Sequence, residues 1–427
     1  MTEKTNWPTW FLVIIPYYAM QSLVGSFVKL YILDLGGTVL DVGLASSAFN
    51  LVLIPAALIS GRISDYLTRR RGILIVSSIG QLLSVFTIIT SRSVSTIVVV
   101  YAIFSFFNSF TPTVFSLLMM ETLSKDRWGD GSAHQFRYTI FGSIIGLSLG
   151  TAVLFFMPLT VMGWLPVAFS ALVLCYTMLV IRDPPLKVER RSIALDPQVL
   201  LGRLLNLPVV FPRIPKLDDF FSLFSSAKNT ITRDIPLIMA ANALFFLGTN
   251  LFFTSYTPFL KANQLTYLEM TALDLFITCI NALASVQQFS GFSKSGDPGI
   301  IVEFLSLRAI AFLIGGLSSL YFTGHDVLYV SLMLYLMIGI AYTNITIGMN
   351  ALLYRYLPEG KRGGVLGIYS AVNSIAMFLG SFLSGGISIV YGYSVTFLLG
   401  SIALFGASSL LEWHFKPKRI WDEDPYE

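Results

Sequence analysis

Gly61-Arg62-Ile63-Ser64-Asp65-Tyr66-Leu67-Thr68-Arg69-Arg70-Arg71 separates two apolar runs, Asp41 to Ile63 and Ile73 to Thr90. Each run can cross a bilayer, which takes about 20 mainly apolar residues in a helix. A glycine, an aspartate four positions on and an arginine cluster therefore form a short polar turn between two membrane helices. Arginines flanking an apolar span hold that end on the cytoplasmic side.

Ten further runs flank this pair: Trp7 to Ile32, Ser93 to Thr122, Gln135 to Phe156, Thr160 to Ile181, Ile235 to Leu260, Tyr267 to Ser290, Pro298 to Phe322, Val327 to Tyr356, Gly364 to Val390 and Ser394 to Phe415. Of the 427 residues, 55% are hydrophobic and only 12% charged, and the mean hydropathy is +0.73. A soluble domain carries about twice that share of charge. In hydrocarbon every backbone group must be satisfied within the protein, and these runs are too long and too uniformly apolar for barrel strands. The fold class is an all-α integral membrane protein with twelve transmembrane helices. The first run has no small-residue cleavage site after it and reads as an uncleaved span.

In a twelve-span arrangement most basic residues fall on one face. Arg62 and Arg69 to Arg71, Lys125 and Arg127, the many between Arg182 and Arg233, and Lys361, Arg362 and Lys416 all lie there. The opposite face has little beyond Arg92 and Lys261. The asymmetry predicts a multi-pass protein of the cytoplasmic membrane with both termini in the cytoplasm. Basic clusters confined to short loops argue against a nucleic-acid surface.

The Gly61 to Arg71 turn resembles the signature loop between helices two and three of major facilitator superfamily transporters, with Thr68 where the family usually has glycine. Tyr31-Ile32-Leu33-Asp34-Leu35-Gly36 followed by Val42-Gly43-Leu44 resembles the family's turn between helices one and two. The resemblance implies two pseudo-symmetric six-helix bundles, here 1–181 and 235–427, joined by a cytoplasmic linker over 182–234. Internal echoes agree: Asn50 and Gly61 recur as Asn281 and Gly291, and Gly142, Gly146 and Gly150 loosely as Gly380, Gly385 and Gly386. The linker is proline-rich and basic. Gln198 to Leu207 and Leu217 to Lys228 alternate apolar and charged residues as surface helices do, although a disordered tether accounts for them equally well.

The resemblance also implies a conformational gate. Asp65 would accept hydrogen bonds from the amides opening helix eleven near Gly363 and Gly364, where the helix dipole is positive. Beside Gly61, Arg69 and Arg70 would face Glu121. The alternative is that the arginines only anchor topology.

In the family, helices one, four, seven and ten line the central cavity. Near the middle of those runs stand Gln21, Asn108, Asn250 and Tyr342 with Asn344, and Tyr256 adds a further hydroxyl. Amides at membrane mid-depth are costly unless they face partners or water, so these residues are the candidate substrate lining or, alternatively, interhelical glue. An uncharged polar lining suits solutes rich in hydroxyl or amide groups.

Ionisable groups inside spans are sharper signals. Asp274 in helix eight and Arg308 in helix nine lie at depths where a closed ion pair is possible. Alternatively Asp274 faces the cavity or Lys29 and carries a proton, or the group serves simple gating. Cys175 and Cys279 lie within spans and read as small packing residues. His134, His325 and His414 form no ligand cluster, and no metal or cofactor is expected. There is no phosphate-binding glycine loop and no Ser-His-Asp set, so no enzymatic reaction is indicated.

The expected function is secondary transport of a small polar solute such as a sugar, polyol or amino-acid-like metabolite, by alternating access in a single chain and with possible coupling to protons. An exporter of amphipathic compounds is the rival, favoured by Phe104, Phe106, Phe107 and Phe110. The resemblance counts against it in two places: proton-driven drug exporters of the family typically have a glycine-proline signature in helix five and an arginine in mid-helix four, whereas here Leu147 follows Gly146 and Asn108 stands mid-helix four. A non-transporting sensor and a channel are weaker alternatives.

Overall fold

The computed structural model describes residues 8–66, 70–123, 128–181, 234–288, 297–356 and 362–422. A 3-10 turn, Thr9–Val13, leads into α1 (Ile14–Asp34), whose Pro16 sits in the first turn, where its missing N–H costs nothing. Then come α2 (Val39–Tyr66), α3 (Arg70–Thr90), α4 in two segments (Val94–Asn108 and Phe110–Thr122), α5 (Trp128–Phe156) and α6, also in two (Leu159–Met162 and Trp164–Leu179). The second half comprises α7 (Asp234–Ala262), α8 (Tyr267–Gln288), α9 (Pro298–Tyr321), α10 (Asp326–Tyr356), and α11 (362–391) with α12 (393–422).

Eleven helical stretches are long and apolar enough to cross a membrane. The last, Ile368–Phe415, has 48 residues and would be more than twice as long as a bilayer core is thick. It folds back at Gly392, whose φ of 86° is one that glycine adopts without strain. Ser388 Oγ and Thr396 Oγ1 meet at 2.8 Å across that turn. The result is twelve spans, and the described residues contain no strand.

Hydrogen bonding at the turns exposes the internal repeat. After α1, Gly37 N donates to Ile32 O and Gly36 N to Leu33 O; after α7, Leu265 N donates to Leu260 O and Gln264 N to Lys261 O. Both are Schellman endings, with Gly36 (φ 82°) and Gln264 (φ 65°) in the left-handed region. Each is followed by a capping pair: Asp41 accepts from Thr38 N and Oγ1, and Glu269 accepts from Thr266 N and Oγ1. Equivalent residues stand 228 positions apart, the difference between Gln264 and Gly36.

Within the halves, glycines set the closest packing. A Cβ on Gly142 or Gly146 of α5 would overlap the carbonyl oxygens of Ile15 or Ala19 in α1, and one on Gly380 of α11 would lie 2.6 Å from Leu247 O in α7. Between the halves, α2 packs along α11 and α5 along α8. At Gly43 and Gly385 the backbones of α2 and α11 nearly touch, a Cβ on Gly43 falling 3.1 Å from Gly385 Cα. Tyr267 Oη donates to Asp34 Oδ1 at 2.8 Å between α8 and α1. These contacts lie at the ends of the helices away from the chain termini, so on that face the halves are drawn together.

The linker and its proposed surface helices lie outside the described residues. Cys175 corrects one expectation: it is exposed, not packed. It lies on a helix face that the bundle does not cover.

Candidate functional site

Pro112 shapes the centre of the first half. Its ring opposes the carbonyl four residues back and it has no N–H to donate, so the hydrogen-bond ladder of α4 has a local break beside Asn108 while Ser109 keeps helical φ and ψ. The fourth span expected from hydropathy remains a single crossing, Val94–Met119. The freed backbone groups draw polar side chains to the break. Ser77 Oγ donates to Phe107 O at 2.8 Å, and Gln81 Nε2 reaches the same carbonyl as well as Thr111 Oγ1 and Ser77 Oγ. Gln81, 1% exposed, is a residue the sequence reading missed.

On the other side of the break Tyr17 Oη donates to Asn108 Oδ1 at 2.5 Å, and Gln21 Nε2 donates to the same oxygen. Gln21 and Asn108, expected from separate helices at one depth, are thus brought together, and both remain partly accessible.

The candidates in the second half are more dispersed. Asn250 donates to Phe246 O of its own helix and accepts from Ser381 Oγ at 3.2 Å; Ser381 accepts in turn from Asn50 Nδ2 of the first half. Tyr256 is enclosed within the second half. It is 2% exposed, its hydroxyl meets Ser331 Oγ at 2.7 Å, and its ring stacks on Phe252. Asn344 donates to Ile340 O on a helix face turned away from Tyr342. Tyr342 packs against Phe245, with ring centroids 6.2 Å apart.

The ionisable residues give the main correction. Asp274 and Arg308 do not pair. Asp274 Oδ2 instead accepts a 2.7 Å hydrogen bond from Ser26 Oγ on α1, with the charge of Lys29 close by. Arg308, 1% exposed, lies among the rings of Phe245, Phe253, Phe312 and Tyr342 at 5.2 to 5.7 Å. Among the described residues its one hydrogen bond runs from Nη1 to Ile338 O at 3.3 Å. Depth alone suggested the pair; helix rotation decides otherwise, pointing Asp274 across the interface and Arg308 between α7 and α10.

Of the expected gate, Arg70 Nη2 and Glu121 Oε1 form an ion pair at 2.7 Å. It joins α3 to α4 within one half. Arg69 and the contacts of Gly61 and Asp65 lie outside what the structure describes. The aromatic run of α4 packs on itself, Phe106 edge-on to Phe107 and Phe110. The described residues hold no group of metal-binding side chains.

Two half-bundles closed together on one face, with polar groups buried at mid-depth, form an architecture that the family comparison places directly. The model of the Major Facilitator Superfamily matches residues 10–293 and 301–426. The chain belongs to that superfamily. Comparison with curated protein sequences gives no match. Among solved structures, a human organic anion transporter, MFSD10 (TETRAN), is similar at 18% identity and a TM-score of 0.61, over 94% of this chain and 97% of that one. The nucleoside transporter NupG aligns at 14% identity and a TM-score of 0.66, over 95% and 99%. A structure of proton-dependent oligopeptide transporters aligns at 12% identity and a TM-score of 0.72, over 96% and 98%. At these identities the structural likeness speaks for the superfamily fold and not for a cargo.

Proposed function

We propose that this superfamily member is a secondary active transporter that moves a small polar solute by alternating access, coupled to protons through Asp274. It works as a single chain in the cytoplasmic membrane, with both termini and the 182–234 linker in the cytoplasm. The observation that supports the reading is the Ser26–Asp274 hydrogen bond, because it joins the two halves, and opening of that face by alternating access would part its two groups. A carboxylate whose partners change as the halves rock is placed to bind its proton differently in the two states, which is the requirement for coupling. Solute binds next to the Tyr17, Gln21 and Asn108 cluster, where hydrogen-bonding groups sit at the junction of α1 and α4.

Counterflow in proteoliposomes tests this, with nucleosides, short peptides and organic anions as trial cargoes, the classes moved by the similar transporters. Saturable exchange by the wild type, and gradient-driven accumulation that Asp274→Asn abolishes while retaining exchange, are the expected results. Non-saturable flux would remove the carrier reading. Undiminished accumulation by Asp274→Asn would remove Asp274 as the proton site.

A further inference from the structure

Among the described residues Arg308 is the largest side chain buried completely, and it is a cation. Its Nε has no hydrogen-bond partner, and no described carboxylate forms an ion pair with it. Asp274 is engaged with Ser26, and Glu303 of the same helix is exposed. Cation–π attraction to four rings offsets part of the desolvation, but rings do not replace the acceptors that the N–H donors lose in leaving water.

The internal repeat shows what is missing. With the 228-position offset, Phe245 stands where Tyr17 does and Thr249 where Gln21 does. Arg308, eleventh in α9, falls within one position of Gln81, twelfth in α3. In the first half every one of these polar groups has a partner: Asn108 serves Tyr17 and Gln21, while Ser77, Thr111 and the Phe107 carbonyl serve Gln81. In the second half Thr249 Oγ1, Thr346 Oγ1 and Arg308 Nε are all buried without one. Thr249 lies one helical turn beyond Phe245, and Thr346 one turn beyond Tyr342. Because α7 and α10 run in opposite directions, the two hydroxyls lie on either side of the ring pair that Arg308 touches. Among the described residues Arg308 has one acceptor, the Ile338 carbonyl at Nη1, and its buried Nε has none, which leaves the cation open to an anionic group.

We infer that Arg308 anchors an anionic group of the transported solute, whose flat or apolar body is received by Phe245, Phe253 and Tyr342. A carboxylate or phosphate offers two acceptor oxygens to the planar guanidinium, the geometry that arginine matches and lysine does not. Phe253 and Tyr342 touch Arg308 and are only half-buried, so the cation lies one ring's thickness from accessible surface. This deepens the carrier reading and rests on it: the cargo becomes an organic anion.

The test uses pairs of small molecules that differ in charge and little else, benzoate with benzamide and phenyl phosphate with phenol, bound to the purified full chain by calorimetry. In the wild type at least one anion is expected to bind 10-fold or more tightly than its neutral partner. Arg308→Gln should lose that preference while leaving the weak binding of the neutral partner unchanged, and Arg308→Lys should restore only part of it. Equal binding of both members of each pair by the wild type, or no binding of either, overturns the inference even if neither variant folds. A preference retained in Arg308→Gln overturns it as well. Failure here is distinct from failure of the carrier reading. Saturable counterflow of a neutral solute, undisturbed in Arg308→Gln, would leave the transporter and remove the anion anchor.

Discussion

Ser26 and Asp274 belong to different halves of the protein and share a hydrogen bond of 2.7 Å. Closer to the face opposite the termini, Tyr267 repeats the connection by donating to Asp34, and the Lys261 ammonium lies 3.9 Å from the centre of the Tyr267 ring. The closed face is therefore held by two polar tiers between α1 and α8, and by the close backbone crossing of α2 and α11. Removing the deeper tier bears directly on the conformational balance. A hydrogen bond to a charged group is worth about 1.5–3 kcal/mol, so Ser26→Ala should move the equilibrium toward opening of this face by roughly tenfold or more. Spin labels at Leu40 and Ile389, both exposed near the α2–α11 crossing, report that opening once Cys175 and Cys279 are replaced by serine. A distance distribution identical to wild type would show that the bond contributes nothing to closure.

Glycine spacing in α5 makes a prediction about stability. Gly146 faces the carbonyl of Ala19, and a methyl group there must push α5 from α1, whereas a Cβ on Gly25 meets nothing within 4 Å. Overpacking at a close contact costs about 1–3 kcal/mol. Gly146→Ala should accordingly lower the melting temperature of the purified protein by several degrees, and Gly25→Ala should leave it unchanged or slightly raised. If the two variants melt alike, the helix contact is looser than its geometry indicates.

Hydropathy made the twelve spans legible because hydrocarbon forces long apolar runs, and the Gly61 to Arg71 turn made the superfamily legible through spacing alone. Gln21 and Asn108 were readable for a similar reason: amides at mid-span must find partners, and each found the other. Azimuth was not legible. Asp274 and Arg308 have depths compatible with a pair, but the rotation of α8 and α9 depends on contacts distant in sequence, such as Ser26 and the rings of α7. The burial of Tyr256 was hidden for the same reason, since nothing near it in sequence announces Ser331 on α10. The break in α4 was available from Pro112, whose effect falls on the residue four before it.

Arg70 and Glu121 lie within one half, so rocking of the halves does not stretch their contact. Arg70 is 4% exposed and Glu121 31%. Glu121→Gln would take one counter-charge from a buried guanidinium, a change that costs about 3–5 kcal/mol when a pair is fully buried and less at a half-exposed partner. The expected outcome is a lower melting temperature with an unchanged Leu40–Ile389 distance distribution, and partial recovery of stability in Arg70→Leu with Glu121→Leu. A shift in the distance distribution without loss of stability would assign the pair to the gate instead.

Asn108 holds the centre of the first half through one side-chain oxygen that accepts from both Tyr17 and Gln21. Asn108→Ala strands a phenol and an amide at mid-depth, each at a cost of about 1–3 kcal/mol. Tyr17→Phe removes a donor and leaves Asn108 with Gln21. If this cluster binds solute, Asn108→Ala should weaken binding tenfold or more, and Tyr17→Phe should have a smaller effect. If it is only interhelical glue, Asn108→Ala should lower the melting temperature yet leave the affinity of the protein that still folds at its wild-type value. Calorimetric titration of both variants with whichever solute shows counterflow separates these outcomes, because affinity and stability are read from the same preparation.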